Sequence, residues 1–174
     1  MEKFKKNINS VLFVTFVIFC LSFTRLIPHA WNFSPMIAAG LFSGFYFRQF
    51  YLSSFIVIFS MFIGDLFLGF HDTMIFTYFS LIVAVLIGLN IKNLNFRGIL
   101  YTSLMSSVSF FLITNFGAWL TLEMYTKNFS GLIESYIMAI PFFQNTLIST
   151  FIYLFIFKIF FDFAVKKKVL RISF

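Results

Sequence analysis

The sequence predicts an all-α fold: a polytopic membrane protein built as a six-transmembrane-helix bundle, with both termini in the cytoplasm. The first of three observations is composition. Hydrophobic residues make up 60% of the chain and charged residues 11%, with a mean hydropathy of +0.95. A soluble domain has no use for that much apolar surface. The second is that the apolar runs approach the roughly 20 residues needed to cross a bilayer. The third is that charge is sorted between alternate connections. At 174 residues the chain reads as one integral membrane domain, 1–174.

Taken in order, the first span covers about 8–24 and ends at Arg25. Lys3, Lys5 and Lys6 precede it as a signal-peptide n-region would, but no small-x-small cleavage site follows, so it reads as an uncleaved helix. Residues 25–35 then place a guanidinium, an imidazole, an amide and three prolyl or hydroxyl side chains between two hydrocarbon runs. Pro35 suits the first turn of a second, shorter span, 35–47, where a missing N–H costs nothing. Gly40 and Gly44 give this helix small-xxx-small spacing for close packing. Arg48 and Gln49 form a tight turn into the third span, 50–63, which leads to the polar segment from Gly64 to Asp72.

The fourth span, 73–91, carries Thr77, Ser80, Ala84 and Gly88 three or four residues apart, marking one inward face. A short polar turn from Lys92 to Arg97 follows. The fifth span, 98–119, is lined by Ser103, Ser106, Ser107, Thr114 and Asn115. After the weakly apolar stretch 121–131, residues 132–139 read as a short surface helix, and Pro141 opens the sixth span, 141–161.

Six spans put both termini on one side. That side collects Lys3, Lys5, Lys6, Arg48, Lys92, Arg97, Lys158, Lys166, Lys167, Lys168 and Arg171; the other has Arg25 and Lys127 against Asp65, Asp72, Glu123 and Glu134. The positive-inside rule makes the basic side cytoplasmic and the location the inner (cytoplasmic) membrane. It also accounts for the net charge of +7 without a nucleic-acid partner. No charge falls mid-span, which argues against a carrier driven by membrane potential. Cys20 is the only cysteine, so no intramolecular disulfide forms; it reads as a small buried hydrophobe. Nucleophile-elbow, HExxH, phosphate-loop and paired-cysteine zinc patterns are all missing, so no enzymatic activity and no cofactor are expected.

The expected chemistry lies on the outward side, in Arg25, His29 and Asn32, in Asp65, His71 and Asp72, in Asn115, Trp119, Glu123 and Tyr125, and in Gln144 and Asn145. Several have more than one reading. Arg25 either snorkels to headgroups or contacts a solute. Asp65 either caps a helix, pairs with Arg25, or touches a ligand. Trp119 and Tyr125 are either interfacial-belt aromatics or stacking surfaces. His29 and His71 are either hydrogen-bonding groups or metal ligands, without the local spacing of a free-metal site.

The arrangement Arg25…Pro28-His29…Asn32-Phe33-Ser34-Pro35, Gly64-Asp65…Gly69…His71, Thr114-Asn115-Phe116-Gly117…Trp119 and Pro141-Phe142-Phe143…Asn145-Thr146 resembles a family of small six-helix bacterial membrane proteins of unassigned function. That family is in turn similar to the substrate-binding S components of energy-coupling-factor (ECF) vitamin transporters. The resemblance implies capture of a vitamin from the outer face, with a transmembrane coupling protein and two ATPases as partners. The first helix has no Ala-xxx-Ala pair of the kind many S components use to dock the coupling protein, which leaves room for a solitary component. By analogy with solitary cobalamin S components, which ligate cobalt through an outward cysteine, His71 is the candidate ligand to a cobalt-containing substrate.

The expected function is therefore a substrate-binding membrane subunit for a vitamin-like solute. Arg25, His29, Asn32, Asp65, His71, Asn115, Trp119 and Asn145 form its site, with aromatics supplying area and amides orientation. The competing reading is a non-transporting scaffold for envelope or cell-shape assembly, with partner-facing polar residues and no enclosed cavity.

Overall fold

The computed structural model describes residues 8–28 and 30–166. Among them are six α-helices and no strand: α1 (Ile8–Ser22), α2 (Met36–Phe47), α3 (Phe50–Leu68), α4 (Met74–Asn90), α5 (Phe96–Thr121) and α6 (Phe129–Lys166), with a 3₁₀ turn (Phe23–Leu26) after α1. Phe50–Leu68, Phe96–Thr121 and Phe129–Ala164 are long and apolar enough to cross a membrane. Short connections alternate between the two ends of the bundle. One end carries residues 27–35, 69–73 and 122–128, and the opposite end carries 48–49 and 91–95.

The shortest helix is the centre. Every residue of α2 except Phe45 is buried, enclosed chiefly by α3, α4 and α6. It lies parallel to α4 at backbone contact distance. A Cβ built on Gly44 would come 2.4 Å from the Val85 carbonyl oxygen, and one on Gly88 2.3 Å from that of Leu41. Only glycine permits this approach, so the small-residue spacing in the sequence does serve packing. Across the other face, Ser53 Oγ of α3 donates to the Ser43 carbonyl of α2 at 3.0 Å.

Polarity is inverted relative to a soluble fold. Ser43, Ser53, Ser80, Ser103, Ser106 and Ser107 are buried, while Ile75, Phe67 and Phe55 are 78%, 69% and 64% exposed. The inward faces expected on α4 and α5 are present: Ser80, Ala84, Gly88, Ser103, Ser106 and Ser107 are buried, and Thr77, Thr114 and Asn115 half-buried.

The helix limits depart from the sequence reading in two places. α3 continues to Leu68, so Gly64 and Asp65 sit within the helix rather than after it. It stops at Gly69, whose φ of 94° lies where glycine is favoured and whose N–H donates to the Asp65 carbonyl at 2.8 Å. α6 does not open at Pro141; it starts at Phe129 and runs through the proline, so no separate surface helix exists at 132–139. Proline removes one helical donor. The direction of the helix ahead of it is held from outside, because Ser135 Oγ and Tyr136 Oη donate to the Asn115 and Leu112 carbonyls of α5, at 3.3 and 2.9 Å.

Both kinds of connection are clamped by a basic side chain. Arg48, in the left-handed conformation (φ 53°), donates to the Leu89 carbonyl at 2.5 Å and to that of Ile91, closing the end of α4. Its guanidinium also stands 5.0 Å over the Phe45 ring, and partial burial lowers its pKa from the ordinary value. Lys127 Nζ donates to the Trp119 and Leu122 carbonyls at 2.5 and 2.6 Å, closing the end of α5.

Candidate functional site

Three elements meet at Asp65. It lies on the inward face of α3 and is 1% exposed. A carboxylate taken out of water needs donors on both oxygens. Arg25, from the 3₁₀ turn after α1, donates Nη2–H to Oδ1 at 2.8 Å, and Tyr78 of α4 donates its hydroxyl to Oδ2 at 2.7 Å. Arg25 is 12% exposed, and its Nη1 donates to the Met61 carbonyl at 3.1 Å. Gly64 makes the approach possible: a Cβ there would fall 2.6 Å from Arg25 Nη1.

The pair is therefore a salt bridge with a phenol attached, tying the exit of α1 to α3 and α4. Of the readings open for Asp65, pairing with Arg25 is the one observed, and Arg25 turns inward rather than snorkelling. Beside it, a slot of about 10 Å³ between α1 and α3 is lined by Ser22, Ser60 and Gly64 among others. That is room for about one water molecule. The Ser60 hydroxyl has no hydrogen-bond partner among the described residues.

Among the described residues, His71, Asn115, Trp119 and Asn145 are each bonded to other partners rather than to one another. His29 lies outside the described residues. Asn32 is exposed, with a φ of 61° that asparagine tolerates better than most residues. The residue before it, Trp31, gives its carbonyl to Asn145 Nδ2 of α6 at 3.0 Å, which ties the 27–35 connection to α6. His71 is exposed with Nδ1 2.9 Å from Thr73 Oγ1. Asn115 bonds back to the Phe111 carbonyl at 2.7 Å. Trp119 donates its indole N–H to the Thr126 carbonyl at 3.0 Å, within its own connection.

Tyr78 was not among the residues singled out from the sequence. Its signal was an isolated phenol one residue from the polar face of an apolar helix, and a carboxylate on α3 still short of a donor. Among the described residues, no three His, Cys, Asp or Glu side chains group to hold a metal. A larger cavity, about 590 Å³, opens between α5 and α6, and none of the seven described candidates lines it. No curated protein and no solved structure matches the chain. A family model does, over residues 5–172, and the chain belongs to that family, described as a family of unknown function, DUF6580.

Proposed function

We propose that the chain is a multi-pass protein of the inner (cytoplasmic) membrane with cytoplasmic termini, acting as the substrate-binding subunit for uptake of a vitamin or related small solute. The observation that carries this is the Arg25–Asp65–Tyr78 cluster. A buried ion pair is a weak source of stability, and ionisable groups within a membrane bundle mark substrate pathways by default. Membrane placement is supported by buried serines set against exposed phenylalanines, and by three helices of crossing length.

Asp65 has both oxygens engaged, but the Arg25 fork retains N–H groups that no described residue takes, suited to a carboxylate or carbonyl on the solute. The 27–35 connection leads from Arg25 into α2 and is held to α6 by the Asn145–Trp31 bond and by Phe33 packed edge-on against Tyr153. On this reading His71 offers Nε2, with Nδ1 occupied by Thr73, to a cobalt-containing substrate. A transmembrane coupling protein and ATPases are the expected partners.

Native mass spectrometry of the full chain tests the reading: a small molecule should co-purify with the wild type and be depleted in Arg25→Lys. Equal cobalamin binding by wild type and His71→Ala removes His71 from its role. A second reading, a scaffold for envelope or cell-shape assembly, is favoured by one observation: His71, Asn115 and Trp119 are each engaged within their own neighbourhood. A protein partner held in fixed stoichiometry, with no small molecule retained, would select it.

A further inference from the structure

We propose that the cleft between α5 and α6 is a binding site for an anionic phospholipid, with the phosphate on Arg97 and one acyl chain lying along the two helices. The site rests on the membrane placement above and is independent of the uptake reading. The cavity is about 590 Å³, lined on one side by Leu100 and Leu104 of α5 and on the other by Leu147, Ile148 and Phe151 of α6. Its polar lining is Arg97 at the basic end, followed by Tyr101 and Ser103 further along α5. Arg97 lines the cleft in the first turn of α5, so its side chain lies along the cavity.

No described residue pairs with the Arg97 guanidinium. Of the two described cations on α6, Lys158 is already paired with Asp162 at 2.5 Å, and Lys166 does not line the cleft. Less than two helical turns further along α5, Ser103 also lines the cleft. It is 1% exposed, and its hydroxyl has no hydrogen-bond partner among the described residues. Buried hydroxyls in helices usually bond their own backbone, as Thr102 does next door to the Gly98 carbonyl.

A cation at the basic end, a buried orphan donor further in and apolar walls alongside both are the three kinds of group an ester-linked phospholipid needs, for its phosphate, ester carbonyl and acyl chain. Arg97 also falls on the basic side of the chain, the leaflet where anionic lipids are drawn to basic pockets between helices. A neutral or zwitterionic lipid would leave the guanidinium without a net counter-charge. A second copy of the chain would have to bring an acidic side chain to the basic end, where Asp162 is the described carboxylate and already has a partner.

The test is native mass spectrometry of the full chain in mixed micelles holding equal phosphatidylglycerol and phosphatidylcholine. The wild type should retain phosphatidylglycerol about fivefold over phosphatidylcholine, the worth of one basic residue against an anionic surface. Arg97→Gln should abolish that preference, Ile148→Trp should lower retention of both lipids by filling the cleft, and Lys92→Gln, on the neighbouring connection, should leave the preference intact. Helical circular dichroism confirms that each variant is folded. Equal retention of the two lipids, a preference that survives Arg97→Gln, or a lipid-free dimer overturns the site while leaving membrane placement standing. Release of the wild type from membranes by alkaline carbonate overturns both.

Discussion

Gly88 of α4 lies against the backbone of Leu41 in α2 so closely that an added Cβ would meet the Leu41 carbonyl oxygen at 2.3 Å and its carbon at 2.9 Å. Both are backbone atoms and cannot swing aside, so the helices themselves must part. Gly88→Ala should cost about 1–3 kcal/mol, the usual range for overpacking a tight core. Gly44→Ala, facing the Val85 carbonyl oxygen at 2.4 Å, should cost as much. Gly40→Ala, whose nearest neighbour is the Ala84 Cβ at 3.0 Å, should cost less. Thermal unfolding in detergent, followed by circular dichroism, checks the ranking; a larger loss at Gly40 would contradict it.

The Arg25–Asp65 pair makes the single and double substitutions diverge. Asp65→Asn strands the guanidinium in a nearly closed site, and breaking one side of a buried pair costs about 3–5 kcal/mol. Arg25→Met with Asp65→Leu removes both charges and should recover most of that loss. Tyr78→Phe keeps the pair but strips a donor from Oδ2, for about 1.5–3 kcal/mol. A double variant no more stable than Asp65→Asn would show that the cluster is held by something other than charge.

Much of this architecture was legible in the sequence because apolar runs and small-residue spacing act locally. The inward faces of α4 and α5, and the close packing at Gly40 and Gly44, follow from helical periodicity alone. What was not legible depends on partners distant in the chain. Tyr78 becomes meaningful only once α4 lies beside α3. Arg48 and Lys127 read as sidedness markers, whereas their ammonium and guanidinium groups close helix ends. Pro141 reads as a helix start because proline lacks a donor, whereas α6 runs through it with Ser135 and Tyr136 bonded to α5 ahead of it.

Arg48 combines an unfavourable backbone with a favourable side chain, and substitutions separate the two. Arg48→Ala keeps the left-handed φ on a residue with a Cβ and loses both bonds to the end of α4, for about 1–2 kcal/mol. Arg48→Gly loses the same bonds but suits that φ, so it should be the more stable of the two by about 0.5–1 kcal/mol. Arg48→Lys retains the charge without the two-pronged fork and should fall between wild type and alanine. Chemical unfolding midpoints in micelles give the order. Alanine more stable than glycine would mean that the backbone strain is not the governing factor.

Sidedness can be read directly, because Cys20 is the only cysteine and, exposed rather than buried as its sequence setting suggests, can be replaced by serine without loss of packing. In that background Lys127→Cys and Asp72→Cys place a thiol in the connections at one end of the bundle, and Lys92→Cys places one at the other. All three positions are exposed. Arg48, Lys92, Arg97 and Lys158 belong to the end that carries Lys92, and by the positive-inside rule that end is predicted to face the cytoplasm. A membrane-impermeant maleimide applied to intact spheroplasts should label Lys127→Cys and Asp72→Cys at once, and Lys92→Cys only after permeabilisation. The reverse pattern would put the Arg25–Asp65 end inside the cell, where it has no access to an external solute. Labelling of all three without permeabilisation would mean that the chain does not cross the membrane as an alternating bundle.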